Sequence, residues 1–512
     1  MKKKDLIMVS LIVLFGLFIR LLLISHYDIG SYWDEGYFAS ATVSVMKSFE
    51  SFFFPTLFEV GGKELFFAAF PGFPWINSII PSIFGITTLT LRLVTVLFGT
   101  FSTVLFYLII SLLFSRKKAI FSSLVFVSMP ILVAFSRVES PHVIEMFFFL
   151  LTTYLLILFQ KKSDYRYLWF STLSLAASIL VHGWLSLPLI LCAYLWVLVF
   201  SKVNKKKLLL GLSISFILAI IPLVLYINHA SNYYLEHKDT INPFSKYDNI
   251  ESAFYLETGY DYLGMKEFNI FQRLSPRYLG AGNLTLEYLF TGPNIVYLIM
   301  LLFGMLIVAA RMIFEKSFRT NQGYWLFALL FFGFLPIHMA QRSYASHLII
   351  AVPIISFFIS ESAFFISDIL KNKILQRVFL SLLAIFFLSA PLIMILSGNE
   401  ILYQTNYKIM GEYVKPLSEN YTYSAIVRYS PTFSYYTHKI ARTTDWMNKP
   451  ISWFIENNQT RFVGVKTIPN DNTMKASDYD WVINNCVDIS EKIGLPADSI
   501  HKLYDCKPDN TR

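Results

Sequence analysis

Two adjacent carboxylates, Asp34 and Glu35, stand between aromatic residues in the segment Trp33 to Tyr37, directly after the first apolar stretch of the chain. Ionisable side chains this close to a bilayer are costly and usually serve a function. A carboxylate here could act as a general base toward an incoming nucleophile. The structural alternative is that Asp34 accepts backbone N–H bonds as the N-cap of a helix over 37–47.

More charged residues stand at the ends of other apolar stretches. Arg92 begins one stretch, and Arg137 and Glu139 lie in a tight connection between two others. Guanidinium groups bind phosphate oxygens through charge-assisted hydrogen bonds, so these arginines are candidate phosphate ligands. The alternatives are that both arginines extend to lipid headgroups and that Glu139 complements a helix dipole ahead of Pro141. His182, Arg342 and His347 occupy similar stretch ends.

The histidines have a second interpretation. His142 and Glu145 are three residues apart and would share one helix face. Metal binding is one use of such a pair. We expect this pair, like His182 and His347, to be hydrogen-bonded polar residues within a helix bundle rather than metal ligands.

Composition identifies the elements that must hold these residues. The chain has 512 residues, of which 55% are hydrophobic, 17% aromatic and only 15% charged. This balance predicts a polytopic membrane protein and gives no reason to expect a nucleic-acid partner. The net charge of +9 arises from basic clusters that recur after every second apolar stretch. By the positive-inside rule, the N-terminus is cytoplasmic and the C-terminus extracytoplasmic.

Stretches of about 17 to 25 apolar residues are long enough to cross a bilayer as helices. The predicted spans are 6–25, 89–114, 119–136, 142–160, 167–182, 184–200, 208–227, 294–314, 323–340, 347–367 and 377–397. The first span resembles the start of a signal peptide but lacks a small-residue cleavage site, which favours an uncleaved anchor. The stretch 66–84 is either a further span or, because it contains three prolines, a surface or re-entrant helix.

The predicted domains follow from these spans. Residues 1–397 form a transmembrane domain with two large extracytoplasmic loops, 26–88 and 228–293, and residues 398–512 form a small soluble α/β domain. Alternating runs at 423–429, 461–466 and 479–483 indicate its α/β character. Cys486 and Cys506 would share the outer compartment and could form a disulfide or remain free, whereas Cys192 is a packing residue.

The order of motifs resembles a known superfamily. After the acidic pair come the Pro/aromatic segment 70–75, the segment Leu91 to Leu93, and the segment Ser136 to Glu139, followed by aromatic residues. This order is similar to the N-terminal half of the GT-C glycosyltransferases of the protein O-mannosyltransferase and aminoarabinose-transferase type. The segment Gln341 to Tyr344 resembles an arginine-tyrosine helix start near the end of their membrane domain. The resemblance covers 5–200 well and 320–360 more thinly.

The resemblance implies an all-α GT-C fold of about 11 to 13 membrane helices with the small C-terminal α/β domain. It also implies transfer of a hexose or pentose from a dolichyl- or undecaprenyl-phosphate donor to an extracytoplasmic protein, lipid or glycan, with inversion. Asp34 matches the base, Glu35 its neighbour, and Glu139 the second acidic position, where aspartate is more frequent. Arg92 and Arg342 would bind the lipid phosphate. Further substrate contacts are expected from Arg137, His182, Tyr344 and His347.

Two features depart from the family or stay open. Ala69 stands where relatives often carry lysine, which puts a phosphate contact from that segment in doubt. No cofactor is expected to be required, but Mn²⁺ or Mg²⁺ held by Asp34, Glu35 and Glu139 is an alternative. A polyprenyl-linked flippase and a nonenzymatic envelope-assembly protein are the competing functions.

Overall fold

The computed structural model describes residues 3–25, 29, 35–60, 63–66, 71–182, 186–237, 241–243, 294–340, 345–396, 406–427, 430–438, 442–443, 450–466, 476–496, 499 and 501–506. These residues divide into two compact units. The first unit contains those within Met1–Leu22, Arg92–Asn228 and Phe254–Glu400. The second contains those within Leu23–Leu91, His229–Ala253 and Ile401–Arg512.

The first unit is built from helices whose positions follow the apolar stretches of the sequence. Among the described residues, six helices are long and apolar enough to cross a membrane. The helices of this unit are α1 (Lys3–Leu21), α6 (Thr88–Leu113), α7 (Arg116–Val127), α8 (Pro130–Phe135), α9 (Pro141–Lys162), α10 (Tyr165–Val181), α11 (Leu187–Phe200), α12 (Lys205–His237), α13 (Asn294–Phe314), α14 (Lys316–Thr320), α15 (Gln322–Ala340), α16 (Val352–Ile369) and α17 (Lys373–Leu396). The first turn of α6 and the last turns of α12 belong to the second unit.

The expected single helix over 119–136 is wrong, because α7 ends at Val127 and α8 begins at Pro130. Proline has no backbone N–H and is tolerated in the first turn of a helix but not in its interior. Ser128, between the two helices, donates its hydroxyl to the carbonyl oxygen of Leu124 at 2.7 Å. The expected span 347–367 also begins differently, as a 3₁₀ helix over Ala345–Ala351 that continues into α16.

Small residues allow close helix packing in this unit. A side-chain carbon on Gly304 of α13 would collide with the backbone carbonyl of Phe358 in α16. A side-chain carbon on Gly333 of α15 would lie 2.7 Å from the Cys192 sulfur in α11. Membrane helices pack through such small residues, because lipid supplies no hydrophobic force that would hold larger side chains together.

The second unit begins with short elements from the first predicted loop. These are α2 (Glu35–Val45), α3 (Phe49–Phe53), β1 (Thr56–Val60), β2 (Lys63–Phe66), α4 (Gly72–Asn77) and α5 (Ile79–Phe84). β1 and β2 pair antiparallel, and β3 (Ile241–Pro243) adds parallel to β2. The described part of 66–84 therefore does not form a single helix that could span the membrane. It contains the two helices α4 and α5, of six residues each.

The C-terminal part of the second unit has the expected α/β character. A five-stranded mixed sheet has the order β5 (Arg442–Thr443), β4 (Ile426–Val427), β6 (Phe462–Lys466), β8 (His501–Asp505) and β7 (Val487–Asp488). The helices are α18 (Tyr407–Val414), α19 (Ser430–Thr437), α20 (Ile451–Glu456) and α21 (Ala476–Asn485). The alternating run 479–483 lies within α21 and is helical. Cys486 and Cys506 form a disulfide.

Candidate functional site

Three arginines of the first unit are completely enclosed by protein: Arg20, Arg92 and Arg137. Arg20 is in the last turn of α1, Arg92 near the start of α6, and Arg137 between α8 and α9. The interpretation of Arg92 and Arg137 as side chains that extend to lipid headgroups is therefore wrong. Buried guanidinium groups require partners for their charge and their N–H groups.

Arg137 ties the end of the first helix to the connection between α8 and α9. Its Nη1 donates to the carbonyl oxygen of Ile19 at 3.0 Å and also to that of Leu22. The last carbonyls of a helix have no partner within the helix, so a guanidinium group is well suited to cap them. Arg137 thus has a structural contact in addition to any contact with substrate.

Arg20 is a buried cation that was not predicted from the sequence as a site residue. Its Nη1 donates to the carbonyl oxygen of Gly16 at 2.9 Å and to that of Val127 at 3.5 Å. Its Nε and Nη2 have no hydrogen-bond partner among the described residues. Arg20 lies within electrostatic range of Arg137. Its sequence signal was a single arginine near the end of an apolar stretch.

Gly99 of α6 leaves the room that Arg20 needs. A side-chain carbon on Gly99 would lie 3.2 Å from the Arg20 Nε and would collide with the hydroxyl of Ser136. Ser136 is the residue before Arg137 and donates its own hydroxyl to the Leu132 carbonyl oxygen at 2.6 Å. α1, α6 and the end of α8 therefore meet around the Arg20 guanidinium.

Glu139 is also fully buried, at the connection that leads into α9. α8 and α9 both pack against the 3₁₀ helix over Ala345–Ala351, which contains His347. The structure thus brings the segment that carries His347 to the helices that flank Glu139, although it does not describe the His347 side chain. Arg342 and Tyr344, which the sequence placed just before this segment, lie outside the described residues.

A second polar cluster lies at the start of α9. His182, the residue directly after α10, places its Nδ1 3.1 Å from Oε2 of Glu145. The other carboxylate oxygen of Glu145 accepts the backbone N–H of Ser186 at 2.8 Å. The rings of His142 and His182 meet edge to face, with centroids 4.2 Å apart. The sequence predicted the His142 and Glu145 pair but not that His182 joins it.

Of the acidic pair in the first loop, the structure describes Glu35, which belongs to the second unit. Glu35 is the first residue of α2 and is fully buried. Asp34 lies outside the described residues, so its predicted roles as base or helix cap stay predictions. α2 packs against α19 of the C-terminal part, and the Tyr436 hydroxyl donates to the carbonyl oxygen of Ile29 at 3.3 Å.

The second unit also contains a cleft of about 380 Å³. Its polar lining comes from Thr87, Lys408, Glu412, Lys415 and His438, with Tyr435 and Tyr436 beside them. Partial burial, together with the positive charges of Lys415 and Lys47, lowers the pKa of His438 below its usual value. The cleft thus combines hydrogen-bonding groups with aromatic faces, a pairing suited to polar ligands.

Comparison with known proteins gives a family match over part of the chain. Residues 69–226 match the model of the family described as dolichyl-phosphate-mannose-protein mannosyltransferase. The matched segment contains Arg92, Arg137, Glu139 and His182. No functionally curated protein shows a significant sequence match to the chain.

Solved structures show the fold over nearly the whole chain. ArnT from Cupriavidus metallidurans, bound to undecaprenyl phosphate, is 10% identical with a TM-score of 0.63 over 97% of both chains. The oligosaccharyltransferase AglB from Archaeoglobus fulgidus, in complex with an inhibitory peptide and a dolichol-phosphate, is 12% identical with a TM-score of 0.61. That match covers 91% of this chain and 70% of AglB. A further structure of the Archaeoglobus fulgidus enzyme contains Zn and sulfate.

The expected resemblance is confirmed, because both solved proteins are GT-C glycosyltransferases. The chain has the GT-C fold, with membrane helices and a small sheet-containing part. The chain thus has the fold of these glycosyltransferases, and several of its helices are long and apolar enough to cross a membrane.

Proposed function

We propose that the protein transfers a sugar from a polyprenyl-phosphate donor to an extracytoplasmic acceptor. The observation that carries this proposal is the enclosure of Arg20, Arg92 and Arg137 in the first unit. Arg20 and Arg137 lie within electrostatic range of each other, and like charges in a poorly solvated interior repel one another. No carboxylate forms an ion pair with Arg20 among the described residues. A phosphate diester, whose oxygens accept charge-assisted hydrogen bonds from guanidinium groups, would relieve that repulsion.

The similar structures support a polyprenyl phosphate as the ligand. ArnT was solved with undecaprenyl phosphate and AglB with dolichol-phosphate. A donor of this kind places its prenyl chain among the apolar helices and its phosphate at their ends. In this chain, Arg92 and Arg342 would bind the phosphate, and Arg20 and Arg137 would add positive charge.

The proposed reaction is a single displacement. An acceptor hydroxyl attacks the anomeric carbon of the sugar while the bond from that carbon to the phosphate oxygen breaks. Asp34 takes the acceptor proton, and the arginines stabilise the negative charge that develops on the departing polyprenyl phosphate. One attack on the face opposite the leaving group inverts the anomeric configuration.

The remaining residues have positioning roles in this proposal. Glu35 would orient the acceptor beside Asp34, and Glu139 would hold sugar or acceptor hydroxyls. His182, Tyr344 and His347 would contact the substrates. We propose that the basic clusters face the cytoplasm and that the C-terminal domain is extracytoplasmic, since this orientation satisfies the positive-inside rule.

A transfer assay tests the proposal. The full-length protein in proteoliposomes is given polyprenyl phosphates that carry different radiolabelled sugars, together with an envelope fraction as acceptor. We expect transfer of one labelled sugar, lost in Asp34→Asn and kept in Glu456→Gln, which changes an exposed carboxylate of the second unit. Full activity of Asp34→Asn would refute the base assignment. Absence of transfer with every donor, while intact donor crosses the bilayer, would instead identify a flippase.

A further inference from the structure

We propose that His142, Glu145 and His182 form a binding site for one divalent transition-metal ion, with Zn²⁺ the best match. One ligand atom from each residue, two imidazole nitrogens and a carboxylate oxygen, lies within 4.8 Å of the others. Glu145 is completely buried and His142 nearly so. This set differs from the Asp34, Glu35 and Glu139 set considered from the sequence, and the proposal is independent of the proposed transferase activity.

The fold brings the three residues together from two helices. His142 and Glu145 lie one turn apart in α9, which places both side chains on one face. His182 directly follows α10, which packs along α9. The two imidazole rings meet edge to face with centroids 4.2 Å apart, and one nitrogen of each lies within 4.8 Å of a carboxylate oxygen of Glu145. His142 and Glu145 lie near the start of α9 and His182 follows the end of α10, so a bound ion would link these two helix ends.

The distances suit an ion of the size of Zn²⁺. Zinc binds histidine nitrogen and carboxylate oxygen at about 2.0 to 2.2 Å, so its tetrahedral ligands lie roughly 3.3 to 3.6 Å apart. The Nδ1 of His182 and the Oε2 of Glu145 are 3.1 Å apart, close to that separation. Rotation of the side chains would bring the His142 nitrogen from within 4.8 Å to the same range.

The chemistry of the ligands selects among metals. Mg²⁺ and Ca²⁺ favour all-oxygen sites with six or more ligands, which two imidazoles and one carboxylate do not offer. Imidazole together with one carboxylate suits Zn²⁺ and neighbouring transition metals. Three protein ligands leave a fourth tetrahedral position for water or for an anionic oxygen.

The carboxylate is oriented from outside the cluster. The backbone N–H of Ser186 donates to Oε1 of Glu145 at 2.8 Å and leaves Oε2 directed at His182. The Ser186 hydroxyl in turn is 2.8 Å from the Ser178 hydroxyl of α10. Metal ligands in proteins are commonly fixed in this way by hydrogen bonds from outer residues.

The test is metal titration of the full-length protein in detergent after removal of bound metal with a chelator. Co²⁺ is the spectroscopic probe, since its visible absorption reports tetrahedral coordination, and Zn²⁺ is then used to displace it. We expect one Co²⁺ per chain with a tetrahedral spectrum. In Glu145→Gln and His182→Gln we expect at least about 100-fold weaker binding, a loss at least as large as that caused by removing an outer partner.

Two controls keep the result interpretable. Glu145→Gln preserves the side-chain volume and an oxygen that accepts the Ser186 N–H, so it should fold like the wild type. His229→Ala removes an exposed histidine of the second unit and should bind Co²⁺ like the wild type. If the wild type does not bind Co²⁺ or Zn²⁺, or if all three variants bind equally well, the proposal is wrong. Failure of the transfer assay alone would not affect it.

Discussion

The two units each contain a largely buried arginine, and the two arginines differ in their partners. In the second unit, Arg461 donates two hydrogen bonds to Asp505, at 2.8 and 2.7 Å, and Lys502 pairs with Asp488. In the first unit, Arg20 is completely buried and donates only to backbone carbonyls among the described residues. A paired charge stabilises its own fold. A buried cation without a carboxylate is costly, and we therefore propose that an external anion completes the site.

The largest expected effect comes from replacing Arg20, and separately Arg461, by methionine. Arg20→Met should lower sugar transfer about 100- to 1000-fold, the loss typical of one electrostatic contact to a transition state, without loss of thermal stability. Arg461→Met should keep the activity but destabilise the second unit by about 2 kcal/mol, because Asp505 would remain largely buried without its partner. Transfer rates and thermal unfolding of both variants check this. Equal effects on both measurements would remove the distinction between the units.

The disulfide gives the next largest effect and should act on the second unit alone. Cys486 and Cys506 close a loop of 20 residues, a constraint worth about 3 kcal/mol. Reduction, or replacement of both cysteines by alanine, should lower the unfolding temperature of the C-terminal part and leave that of the first unit unchanged. Limited proteolysis after heating would distinguish the two. Unchanged unfolding of both units on reduction would contradict the pairing.

The first unit also contains ion pairs, and the one between Lys118 and Glu361 sharpens the comparison. Lys118 in α7 donates to Glu361 in α16 at 2.6 Å, and Tyr324 donates to the same carboxylate at 3.2 Å. Glu361→Gln should cost about 2 kcal/mol, less than a fully buried pair because Lys118 is partly exposed. Asp488→Asn, in the half-exposed pair of the second unit, should cost less than about 1 kcal/mol. Denaturation of the purified variants in detergent measures both.

The smallest expected effect is a pH dependence of the second unit. Partial burial and the neighbouring Lys415 and Lys47 lower the pKa of His438 below 6.5, so the folded state favours the neutral ring. Its contribution is complete above pH 6.5 and is lost as the pH falls toward the lower folded-state pKa. The unfolding temperature of wild type should therefore fall slightly more than that of His438→Asn between pH 7 and 5, by no more than about 2 °C.

Asparagine is the appropriate replacement because His438 has a positive φ of 57°, which asparagine tolerates well. If wild type and variant lose stability in parallel over this pH range, His438 is not the titrating group.

The sequence predicted the helices of the first unit closely, since apolar stretches bounded by basic residues determine where a chain can cross lipid. It did not predict the break at Pro130, where one apolar stretch contains two helices, although proline was a visible signal. The alternating run 479–483 is helical. Alternation over so few residues is weak evidence for a strand, so this run did not predict its own structure.

The candidate site was harder to predict because it depends on contacts between distant residues. Glu139, Arg92 and Arg137 stand at stretch ends that the sequence shows directly. Arg20 could only be recognised once Gly99 and Ser136 were seen to enclose it. The spacing of His142 and Glu145 was visible as well, but His182 joins them only through the packing of α10 on α9.

The most direct test of the central claim is native mass spectrometry of the full-length protein with its co-purified lipid. If the buried arginines hold a phosphate, the wild type should retain a polyprenyl phosphate or its sugar ester, and Arg20→Met should retain much less of it. Arg461→Met is the matched control and should retain as much as the wild type. Ordinary phospholipid as the only bound lipid, or equal retention of polyprenyl phosphate by Arg20→Met, would contradict the account.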